Sequence, residues 1–163
     1  MCRQWKLALS VGPILVAALM VVPTATTSVS TSVSGVWSTT PLIPTGFKQA
    51  GVNIKLPGVV FSTWSGDLNG TTVATATFLI HRDGSVVAAP SRETLTGTVS
   101  GVGTGTLDFV EEAHSQPDGS TEIGATIVSG TGGLAGLHGR LIFLGTCDVS
   151  GACAGTYSGQ IKG

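Results

Sequence analysis

Charge is scarce in this chain. Only 10% of its 163 residues are Asp, Glu, Lys or Arg, and the formal net charge is −1. No cluster of basic residues stands anywhere in it. That excludes the electrostatic footprint of a nucleic-acid binder. Gly-x-Ser-x-Gly and His-Glu-x-x-His are both missing, which removes the common hydrolase and zinc-protease signatures. Cysteines number three. His81, His114 and His138 are scattered, so no compact set of zinc ligands is expected. Sustained helical periodicity is absent outside the N-terminal segment, and no second long apolar run follows that segment.

What is abundant is Gly (24 residues), together with Ser, Thr and Val. Gly loses much backbone entropy in a helix, and β-branched side chains lose rotamer freedom there. The mixture suits short strands joined by tight turns. Disorder is the competing reading of Gly/Ser-rich chains. It fails because 42% of the residues are hydrophobic, enough apolar surface for a core.

The N-terminus has the layout of a secretory signal peptide. Arg3 and Lys6 precede an apolar run over 7–22, and small residues follow to Ala25. The run is short for a membrane span. Pro23-Thr24-Ala25 is a poor cleavage motif, so an uncleaved anchor is the alternative, and membrane contact is expected only then. The expected organisation is a signal helix over 1–25, a low-complexity linker over 26–34 (TTSVSTSVS), and one domain over 35–163. Without the signal's two positive charges the domain is mildly acidic.

Export would carry Cys147 and Cys153 into an oxidising compartment. Five residues separate them in CDVSGAC, a spacing that fits a disulfide across a hairpin loop. A metal site is the rival reading, and the scattered histidines argue against it.

Turn signals recur at short intervals. Asn69-Gly70, Asp83-Gly84 and Asp118-Gly119 read as hairpin dipeptides. Strands are expected near 35–43, 52–64, 71–82, 85–98, 103–114, 120–129, 139–144 and 155–161. Eight consecutive strands suit a meander that closes into an antiparallel up-and-down barrel. Closure also removes exposed edges. A two-sheet sandwich is the alternative. The glycine-rich segment 129–140 (SGTGGLAGLHGR) lacks the strand–helix context of a dinucleotide loop. It reads instead as a tight return of the chain, with Leu134 and Leu137 plugging one barrel end.

Strict alternation assigns faces. On the fourth expected strand, Val87, Ala89, Ser91, Glu93 and Leu95 share a face; on the fifth, Leu107, Phe109, Glu111 and Ala113 do. Glu93 and Glu111 therefore sit in apolar, inward rows of neighbouring strands. A buried carboxyl beside another has its pKa raised, which makes it useful for proton transfer near neutral pH. The plainer reading places both at a solvated barrel mouth. Trp37, Trp64 and Tyr157 either line a cavity or pack.

At this point the chain resembles a known group. The residues are Ser65-Gly66-Asp67-Leu68-Asn69-Gly70, Arg82-Asp83-Gly84-Ser85, Glu93 with Leu95-Thr96-Gly97, and above all the run from Gly130 to Gly139, GTGGLAGLHG. They look like bacterial domains of unknown function in the allene oxide cyclase and dirigent barrel superfamily. The likeness covers about 100 residues, from Phe61 to Ile161. It implies an allene oxide cyclase-like eight-stranded barrel whose lumen holds a small, mostly apolar molecule. It also implies activity without cofactor or metal, often with acidic groups, and a homodimer or homotrimer as one prospect. Only Glu93 carries over well. Related domains often have a His near Glu111, and it is absent here. The Cys147–Cys153 hairpin is an addition.

The expectation from sequence is thus an exported barrel that binds a small apolar ligand. Val87, Ala89, Leu95, Leu107, Phe109 and Tyr157 are its expected contacts, and Glu93 and Glu111 its candidate acids. A cofactor-free cyclase or isomerase is the alternative, and a filled structural barrel a further one.

Overall fold

The computed structural model describes residues 30–163. The expected signal peptide (1–25) and the first four residues of the expected linker (26–29) lie outside the described residues. Ten strands follow one another: β1 (Ser30–Thr39), β2 (Ile43–Pro44), β3 (Lys48–Ala50), β4 (Asn53–Gly66), β5 (Leu68–Ile80), β6 (Val86–Val99), β7 (Gly103–Ser115), β8 (Ser120–Gly130), β9 (His138–Cys147) and β10 (Cys153–Lys162). One 3-10 turn, Gly132–Leu134, precedes β9. The described residues contain no α-helix.

β4 to β10 pair antiparallel with their neighbours in chain order, and β1 pairs both β10 and β4. The result is a closed eight-stranded antiparallel barrel. β2 and β3 add along β4 past the point where β1 leaves it, at Ile43↔Val59 and Lys48↔Lys55. β1 begins at Ser30, five residues before the expected start and inside the segment expected to be linker. Thr/Ser/Val alternation is as good a strand signal as a linker signal, and pairing with β10 decides between them.

Alternation explains the layers. Successive side chains of a strand face opposite sides, and β5 shows it plainly, with Thr72, Ala74 and Ala76 buried between exposed neighbours. Half of the interior is solid. Val33, Leu68, Leu95, Val99, Leu107 and Ile127 pack there with Leu134, Leu137, Leu141 and Ile161. Leu134 and Leu137 seal that end from the glycine-rich return, as expected. Above this plug lies an aromatic layer of Trp37, Trp64, Phe109, Phe143 and Tyr157, with ring centroids 4.9 to 5.8 Å apart in tilted or edge-on pairs. These are favourable aromatic geometries.

The expected hairpin at Asn69-Gly70 is a correction: both residues lie inside β5, and the chain turns at Gly66-Asp67. Gly70 is small for a different reason. It lies opposite Gly97 on β6, where a Cβ on Gly70 would sit 2.3 Å from the Thr96 carbonyl oxygen and one on Gly97 2.0 Å from that of Asn69.

The β5–β6, β7–β8 and β9–β10 connections emerge at the opposite end from the plug. All three are built alike. Asp83, Asp118 and Asp148 each accept from the backbone N–H and the hydroxyl of the serine two residues on, at 2.6 to 3.0 Å. The backbone N–H and then the hydroxyl of Ser85 hold the Asp83 carboxyl below its ordinary range. For Asp118 and Asp148 the serine hydroxyl leads and the N–H follows. Cys147 and Cys153 face each other at the base of the last loop and form a disulfide.

The glycine contact can be tested by contrast. Gly97→Ala should destabilise by about 1–3 kcal/mol through overpacking. Gly124→Ala, whose Cβ would meet only the end of the Arg140 side chain at 3.5 Å, should stay within about 0.5 kcal/mol. Chemical denaturation of both variants checks the difference.

Candidate functional site

The loop end of the barrel is hollow. A cavity of about 700 Å³ runs from the mouth down to Trp37, Trp64 and Phe143 of the aromatic layer. On most strands the chain divides at the same height. β5 lines the cavity with Ala74, Ala76, Phe78 and Ile80 and packs Leu68 below; β7 lines it with Glu111 and Ala113 and packs Leu107 and Phe109 below. Leu42, Pro117, Asp118, Asp148 and Val149 surround the mouth. Small side chains keep the upper half open: Ala74, Ala76, Ala88 and Ala113 all lie on its wall.

Glu93 and Glu111 both line this cavity and both are buried, 5% and 8% exposed. Glu111 lies opposite Ser91 on β6, and Glu93 opposite Phe109 on β7. The two carboxyls are therefore diagonal neighbours on one face, within reach across strands. Their surroundings differ. Glu93 Oε1 accepts from the Ser62 hydroxyl at 3.2 Å and from the Thr72 hydroxyl. Burial pushes Glu111 well above the ordinary carboxyl range, and the charge of Glu93 and a hydrogen bond with it add to the effect. Over the pH range by which its pKa is raised, Glu111 holds its proton and the pair carries at most one negative charge. Such a pair can give up or accept one proton, or hold a positive charge. The indole N–H of Trp37, on the same cavity wall, is buried without a hydrogen-bond partner among the described residues.

The other expected contacts fall elsewhere. Val86 and Ala88 line the cavity and Val87 does not. The pairing of β6 with β7 shifts between Ala88 and Ser91, and its pairing with β5 shifts in the facing region between Thr75 and Phe78. Ala89 lies in this bulge beside Pro90, which has no N–H for the ladder. An extra residue reverses the phase of alternation, so strict alternation carried from Glu93 back to Val87 fails across it. Leu95, Leu107, Phe109 and Tyr157 are fully buried in the packed half or the aromatic layer and do not line the cavity. The Tyr157 hydroxyl accepts from the Leu68 N–H at 2.8 Å and donates to the Leu68 carbonyl at 3.0 Å. Ser62 and Thr72 were missed. Their only signal was a hydroxyl in an inward row, beside Trp64 and Ala74, in a chain full of such residues. No group of three or more His, Cys, Asp or Glu side chains among the described residues is placed to hold a metal ion.

A family match spans residues 45–151 and carries the description "Protein of unknown function (DUF3224)". The chain belongs to the DUF3224 family. A search of curated proteins finds no match. Among solved structures, the chain is similar to a protein with unknown function from the DUF3224 family of Shewanella oneidensis MR-1. Identity is 18% over 81% of this chain and 96% of that one, with a TM-score of 0.63. At that identity the likeness concerns the fold. This DUF3224 chain is thus a barrel protein with a relative in a bacterium, and neither comparison carries a function.

Glu111 gives the domain a pH signature. Its folded pKa lies above the ordinary 4.5, so the folded state binds more protons than the unfolded one between those two values. Stability then falls as pH rises through that window. Glu111→Gln should remove the fall, leaving a variant more stable than the parent at pH 8 and similar to it near pH 4. Urea denaturation from pH 4 to pH 9 checks the crossing.

Proposed function

We propose that this DUF3224 protein is an exported barrel that binds a small, mostly apolar molecule in its hollow half. The observation that carries this is the division of one interior into a solid end and a 700 Å³ cavity. Eight-stranded barrels of this size can be filled by their own side chains, and here the lower half is. The upper half is walled with alanines where larger residues would close it. An unfilled apolar lumen forfeits dispersion contacts, a cost that a purely structural barrel has no reason to carry. The volume falls in the range of small-molecule sites. The buried Trp37 N–H is satisfied if an occupant presents an acceptor there.

Export is supported by the charged, apolar and small-residue order of residues 1–25 and by a disulfide that suits an oxidising compartment. The likeness to allene oxide cyclases and dirigent proteins, whose barrels confine apolar molecules, supports the same reading.

Native mass spectrometry of the secreted protein, followed by denaturing extraction, should show a co-purifying small apolar molecule and count the subunits. Ala76→Phe, placed on the cavity wall, should keep the fold by circular dichroism and lose that molecule. An extract empty from parent and variant alike would remove the binding reading.

A second reading, a cofactor-free cyclase or isomerase, rests on the raised Glu111 beside Glu93. There one carboxyl would protonate the substrate and the other would stabilise the developing cation. Glu93→Gln separates the readings. Turnover of the extracted molecule lost by about 100-fold or more, with binding kept, supports catalysis; equal turnover dismisses Glu93 from any mechanism.

A further inference from the structure

The charge in the cavity is of one sign. Every ionisable side chain lining it is a carboxylic acid: Glu93 and Glu111 inside, Asp118 and Asp148 at the mouth. No Lys, Arg or His takes part in the lining. The two inner carboxyls are buried, and burying such groups is costly without a compensating charge or hydrogen bonds. The protein supplies hydroxyls to Glu93, from Ser62 and Thr72, and no positive charge to either.

We infer that the occupant is a cation, a small hydrophobic amine or ammonium compound, held with its charge against Glu93 and Glu111 and its hydrocarbon part against Trp64 and Phe143. This rests on the reading of the cavity as a ligand site and names the chemistry of its ligand. Three features converge on it. The attraction between an ammonium group and a buried carboxylate is screened less than it would be at the surface. The aromatic side chains at the inner end give the hydrocarbon part an apolar floor. Asp118 and Asp148 at the mouth draw cations toward the opening and repel anions. The same features exclude fatty acids and other carboxylates, whose charge would face the glutamates with no basic group nearby. A neutral hydrocarbon would make no use of the pair, and a wall of Leu or Val in place of Glu93 and Glu111 would suit it better.

The test uses three probes on one skeleton, naphthylmethylamine, naphthylmethanol and naphthoate, titrated calorimetrically into the full chain at neutral pH after removal of any resident molecule. The amine should bind at least about tenfold tighter than the alcohol, and the carboxylate should show no measurable binding. Glu93→Gln should erase most of the amine's advantage and leave the alcohol's affinity within about threefold, whereas Glu111→Gln, uncharged like the protonated acid it replaces, should leave the amine ahead. The ranking in the parent protein decides by itself should either variant fail to fold. An alcohol that binds as tightly as the amine overturns the cation inference and leaves the ligand-binding barrel standing. No binding by any of the three overturns both.

Discussion

The barrel depends on one strand doing two jobs. β1 pairs with β10 along nearly its whole length and with β4 over its last residues. Without it the sheet would be open, with unpaired edges on β4 and β10, in a Thr/Val-rich chain prone to edge-to-edge association. The junction is tight. A Cβ on Gly35 would meet the Ser65 carbonyl oxygen at 2.2 Å and the Tyr157 hydroxyl at 2.4 Å. Tyr157 reaches across from β10 and ties both backbone groups of Leu68, at the turn into β5. One aromatic hydroxyl thus joins the last strand to the start of the barrel's second hairpin, and glycine makes the room for it.

Closure fixes an interior, and side-chain size decides how it is used. Below the aromatic layer, Leu, Ile and Val interdigitate with the glycine-rich return. Above it, alanines and hydroxyl residues leave a chamber. The bulge in β6 falls in the hollow half, where it turns Val86 and Ala88 inward. The carboxyl pair sits just above the aromatic layer, where Glu93 can reach Thr72 of the packed wall and Ser62 of the cavity wall. Held there, Glu111 has its pKa raised by burial, and Glu93 keeps its hydroxyl donors.

The same residues carry a folding cost and stiffen the mouth. Glu111 lowers stability as pH rises through the range by which its pKa is raised. Three Asp–Ser loops stiffen the mouth by local hydrogen bonds, and the disulfide pins the last of them. These devices fix the rim while Leu42 and Val149 supply apolar contact around it.

Much of this was legible in the residues. All eight barrel strands fall near their expected positions, because period-two alternation between turn residues is a local property of the chain. The disulfide followed from spacing, and the inward placement of Glu93 and Glu111 from alternation on two strands that stay regular there. Where alternation was broken, it misled: Val87 was placed inward because the extra residue of β6 beside Pro90 shows itself only once the strands pair. Asn69-Gly70 read as a turn because the need for glycine there comes from Gly97 across the sheet, a contact no local pattern encodes. Leu95, Leu107, Phe109 and Tyr157 were rightly turned inward but assigned to the wrong half. Local pattern alone settles which side chains of an unbroken strand face the interior, since the pleat sets that. Only the tertiary structure decided which of them touch one another and which face a cavity, because height along the barrel axis is set by strand register and closure.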